Sequence, residues 1–217
     1  YTVKHMQQNV NDDNYTEVVA DREDKTGTTA QQTAAVAKEY VWFTAQEITQ
    51  ATIAADGSTV VEVKYDRITK TVDFKNEGTS LQWYPKTLRY GAAIEAPSTE
   101  GLSKVGYHIE TNDKWIEEVP ATVWLENVVI NVKWTANTNT AYKVKHMQQN
   151  VNDDNYTEVE ADREDKTGTT AGETAAVAKN YVWFTAKEIT QGTIAADGST
   201  VVEVKYDRIF DGRDRDS

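Results

Sequence analysis

The chain has 217 residues, 39% hydrophobic and 27% charged, with a net charge of −12 and no cysteine. That composition suits a folded protein and excludes global disorder, disulfides, zinc–thiolate sites and cysteine nucleophiles. The acidic balance and the lack of any Lys/Arg run argue against nucleic acid or an anionic membrane as partner, and no apolar run reaches membrane-spanning length.

The stretch AADGSTVVEVKYDR at Ala54–Arg67 returns unchanged at Ala195–Arg208. The match widens without gaps to residues 1–67 against 142–208, and differences are few, among them Thr2/Lys143, Glu39/Asn180 and Ala51/Gly192. A long, nearly error-free period marks a module array. We therefore divide the chain in A–B–A order: a flanking module at 1–67, a middle module with its linker at 68–141, a second flanking module at 142–208 and a tail at 209–217. Because the chain opens at Tyr1 inside the repeating pattern, it reads as a piece of a longer protein.

In chain order, Tyr1–Gln8 alternates Tyr1, Val3 and His5 against Thr2, Lys4 and Met6, which predicts a strand. Asn11–Asn14 (NDDN) predicts a turn and Tyr15–Glu23 a second strand, closing a hairpin. Ala30–Tyr40 is rich in helix formers behind Thr29, a candidate N-cap, and predicts one short helix. Val41–Ala45 predicts a short apolar strand. Asp56–Gly57 predicts a turn, and Thr59–Asp66 a strand with Val61, Val63 and Tyr65 on one face. The flanking modules thus read as α+β, a strand-rich sheet with one helix over it. The middle module reads as nearly all strand, around Val72–Phe74, at Lys86–Pro97 with a turn at Gly91, at Gly106–Glu110 and at Val128–Trp134. The small, polar Thr135–Ala141 predicts a linker.

The middle module resembles the internalin B-repeat (Listeria–Bacteroides repeat) through DFKNEG at Asp73–Gly78, LRYGAAIEAP at Leu88–Pro97, GYHI at Gly106–Ile109 and NVKW at Asn131–Trp134. The flanking modules are similar to mucin-binding-type repeats through YTVKHMQQNV, KTGTTA and DGSTVVEVKYDR, although such repeats usually carry glycine where Trp42 and Trp183 stand and an aromatic residue where Met6 and Met147 stand. The resemblance implies three tandem, small β-grasp (ubiquitin-like) modules in an elongated array. It also implies an extracellular setting on a bacterial cell surface, as a stalk or adhesin without catalysis.

Candidate sites are few. His5, His108 and His146 lie in predicted strands with no nucleophile pattern nearby and read as structural. Asp12 and Asp13, with their counterparts Asp153 and Asp154, offer carboxylate oxygens that Ca2+ would take, but consecutive acids on a turn point apart and a solvated turn is the plainer reading. Trp83, Tyr84, Trp115 and Trp124 fall in irregular stretches of the middle module, where aromatic faces could stack on a host glycan or contact a host surface protein. Trp42 and Trp183, in YVWFTA, are expected in the core. Open strand edges offer a further route, self-association into a filament.

Overall fold

The computed structural model describes residues 1–210, in two compact units. One comprises Tyr1–Ser98 with Trp115–Val132, the other Thr99–Lys114 with the chain from Lys133 onward.

The first flanking module contributes β1 (Thr2–Gln8), β2 (Tyr15–Glu17), β3 (Glu23–Asp24), β4 (Phe43–Ala45) and β5 (Val60–Arg67). They form one sheet in the order β2-β1-β5-β4, with β3 also on β1. Strands β1 and β5 run parallel, with Val3 opposite Val61 and His5 opposite Val63. Alternation sends Val3, His5, Val61, Val63 and Tyr65 to the same face, and all five are buried. Tyr40, Phe43 and Ile48 pack against that face.

The expected helix at Ala30–Tyr40 is absent, and with it the α+β, β-grasp-type architecture. Strands hold 40% of the residues and helix only 3%, the latter as short 3-10 turns at Val19–Asp21 and Glu160–Asp162. The fold is β-rich sheets. The backbone of the segment is satisfied sideways rather than along a helix. Gln50 accepts from the Ala35 amide (2.9 Å) and donates to the Ala35 carbonyl (2.8 Å), Tyr65 accepts from the Lys38 amide, and Thr33 pairs with Ala51. A helix of alanines would bury little but methyl groups, and intrinsic propensity is a weak prior against such partners.

One hydrogen-bond chain runs through this core. The Lys38 amide donates to the Tyr65 hydroxyl (2.8 Å), which donates to His5 Nδ1 (2.7 Å), and His5 Nε2–H donates to Glu23 (2.9 Å). The hydroxyl accepts from the amide and directs its own proton to His5 Nδ1, which leaves Nε2–H to face Glu23. The second copy repeats the chain through Lys179, Tyr206, His146 and Glu164.

The middle module adds β6 (Thr69–Asn76), β7 (Thr79–Ser80), β8 (Lys86–Arg89), β9 (Tyr107–His108) and β10 (Val128–Asn131). In the first unit, β6 pairs in parallel with β10 and antiparallel with β7 and β8. Glu77 and Gly78 both have positive φ, the left-handed pair of a tight hairpin turn. Val72, Phe74, Ile94, Val123 and Ile130 form the core.

In the second unit β9 pairs with β11 (Thr135–Ala136). The second flanking module follows as β12 (Thr140–Gln149), β13 (Tyr156–Glu158), β14 (Glu164–Gly168), β15 (Phe184–Ala186) and β16 (Val201–Arg208), in the order β13-β12-β16-β15 with β14 on β12. The stretch 135–141 therefore pairs at both ends. Gly106 lies so close to this module that an added Cβ would stand 2.8 Å from Ala196 Cα, and its carbonyl accepts from Asn137 N–H and the Thr170 hydroxyl.

His5→Ala removes a buried ring and leaves the buried Tyr65 hydroxyl without its partner. Urea unfolding should show a loss of about 2–4 kcal/mol, with a similar loss for His146→Ala. The hydrogen bond from His5 holds the Glu23 carboxyl below its usual 4.5, as His146 does for Glu164. A depressed folded value contributes stability above the unfolded pKa and loses it as pH falls through the folded one. Stability should therefore drop below about pH 4.5, and less steeply in a Glu23→Gln/Glu164→Gln variant followed by acid titration.

Candidate functional site

The candidate aromatics part company. Tyr84 and Trp115 flank Phe74 edge-on, with ring centroids 4.8 and 5.0 Å away, and belong to the core of the middle module. Tyr84 also donates its hydroxyl to the Glu95 carbonyl. Trp83 sits at a left-handed turn position with 76% of its surface exposed. Trp124, 57% exposed, joins a cluster with Trp42 and Tyr90.

That cluster stands at the joint between the first flanking module and the middle one. Only Ile68 separates β5 from β6. Its N–H donates to the Trp42 carbonyl and its own carbonyl accepts from the Tyr90 N–H, both at 2.8 Å. Trp42 stacks on Tyr90 at 5.0 Å with planes 22° apart, and Trp124 closes the cluster 5.0 Å from Trp42. Arg67 threads beneath, its Nε donating to the Gln8 carbonyl (2.8 Å) and its Nη1 to the Tyr90 carbonyl (3.1 Å), with the guanidinium over Phe43 at 5.0 Å. Burial pulls its pKa below the ordinary arginine value. Arg89 reaches back into the NDDN turn, donating to the Asp12 carbonyl (2.6 Å) and pairing with the Asp13 carboxylate.

The candidate cation turn is thus held by protein groups. Asp12 accepts from the Asn14 amide (2.8 Å) and the Asn9 side chain (2.9 Å), capping its own turn, while Asp13 faces Arg89. Asp153 caps the second turn in the same way. Asp154 is Asp13's counterpart there. Among the described residues no group of three or more His, Cys, Asp and Glu side chains converges as a metal site.

The expectation that Trp42 and Trp183 fill the flanking cores is overturned: Trp42 packs outward into the joint, and Trp183 is 68% exposed. Both have positive φ, 76° and 73°, a backbone that favours glycine. The recurrence of this tryptophan in both copies was the available signal for a joint residue. Arg67, Arg89 and Tyr90 had no local signature, because their partners lie in another module.

The chain matches no protein-family model and no curated protein.

The two copies allow an internal control. Replacing a left-handed tryptophan by glycine relieves about 1 kcal/mol of backbone strain. Trp42→Gly also loses the stack with Tyr90 and Trp124, so it should lower the thermal midpoint, whereas Trp183→Gly should leave it unchanged or raise it.

Proposed function

We propose that the chain is a non-catalytic repeat segment of a bacterial cell-surface protein, acting as an extended stalk or adhesin. The observation that carries this reading is the joint at Ile68: one module's last strand becomes the next module's first, and Trp42, Tyr90, Trp124, Arg67 and Arg89 lock the two together. A spacer needs copied units and joints that resist bending, and a single-residue connection bonded on both sides meets that need. Repetition of the His146–Tyr206–Glu164 network in the second copy supports a unit that is reused whole.

A second reading, favoured by exposed Trp83, is that the middle module binds a host glycan or surface protein by stacking. Trp83→Ala would then abolish glycan retention while leaving thermal stability unchanged.

Small-angle scattering tests the stalk. A monomeric rod three modules long, unchanged across concentration, is expected. A compact particle would contradict it.

A further inference from the structure

The second flanking module carries the same exit face as the first, and its counterpart residues are exposed among the described residues. In the first copy, Val10, Trp42, Arg67 and Ile68 are all at least half covered, and Tyr90, Gly91, Trp124 and Arg89 lie on them. In the second copy the counterparts Val151, Trp183 and Ile209 are 72%, 68% and 54% exposed. With Arg208 and Asp154 they line an open concavity of about 610 Å3.

The face is already shaped. Ile209 N–H donates to the Trp183 carbonyl at 2.8 Å, as Ile68 does to Trp42. Arg208 Nε donates to the Gln149 carbonyl at 2.9 Å, and its guanidinium lies 4.9 Å from the Phe184 ring centre, as Arg67 does with Gln8 and Phe43. Trp183 keeps the left-handed backbone. Asp154 supplies the carboxylate that Asp13 offers Arg89 in the first copy. Shape and charge therefore match one occupant whose chemistry the first copy displays.

We infer that the Trp183 face is a docking site for a further module of the middle type, which presents an Arg-Tyr-Gly strand end and a loop tryptophan, as Arg89–Tyr90–Gly91 and Trp124 do. Arg89's counterpart would pair with Asp154 and reach the Asp153 carbonyl. The tyrosine would stack on Trp183 and accept Arg208 at its carbonyl. This goes beyond the stalk reading and does not depend on where the protein resides.

The test is a chain in which residues 209–217 are replaced by a second copy of residues 68–208, so that the added middle module keeps the flanking module that residues 99–114 pack on, compared with the 217-residue protein. Docking moves the Trp183 indole N–H resonance to the position of Trp42's. Trp183→Ala then lowers the unfolding midpoint of the added module, yet leaves the 217-residue protein's midpoint where it was. An added module that folds while Trp183 stays unshifted, or one that stays unfolded behind an intact second flanking module, overturns the inference. A concentration-dependent shift of Trp183 in the 217-residue protein also overturns it, because the occupant is then a second copy of the chain. Failure of the stalk reading would show as a compact particle with the Trp183 shift intact.

Discussion

A single residue, Ile68, sets the terms for the first unit. With β5 ending at Arg67 and β6 starting at Thr69, two sheets from different modules share one continuous backbone. Both polar groups of Ile68 are bonded, one to each module. A loop there would be free to swivel; a residue tied on both sides is not. The rest follows from that tie. Trp42 must aim its carbonyl at Ile68, which its left-handed backbone permits at a cost in strain. Arg67 must leave the sheet between Phe43 and Tyr90. Arg89, four residues along from Pro85, is brought opposite the NDDN turn.

The second copy separates cause from consequence. There the same bond, the same left-handed tryptophan and the same arginine over phenylalanine occur around a tryptophan that is 68% exposed. The flanking module thus builds its exit face by its own folding, and the middle module fits a surface already in place. Preorganisation of this kind reduces the ordering that docking requires. The acid turn serves the same end: Asp12 caps the loop from within, which leaves Asp13 pointing outward for Arg89.

The strands were legible wherever alternation was clean, as in Thr2–Gln8 and Val60–Arg67, because a sheet with one buried face imposes period two. The segment Ala30–Tyr40 misled, because alanine-rich composition favours helix locally while Gln50, Tyr65 and Thr33 claim its backbone from elsewhere in the fold. The aromatic candidates of the middle module split for a similar reason. Composition marks Tyr84, Trp115 and Trp124 alike, and only the placement of Phe74 between the first two separates core from surface. The joint itself was illegible, since stacking among Trp42, Tyr90 and Trp124 links residues up to 82 positions apart. Its trace was a tryptophan at the same position in both copies.

The most direct measurement is amide hydrogen exchange at Ile68 and Ile209 in the 217-residue protein. Both amides donate to a tryptophan carbonyl at 2.8 Å, but Ile68 is mostly covered by the middle module, whereas Ile209 is 54% exposed. If the joint is a fixed interface, Ile68 exchanges slower than Ile209 by about tenfold or more, in step with the core strands. Equal, rapid exchange at the two positions would mean that the middle module swings freely on the first flanking module, and the account of a locked repeat segment would fail.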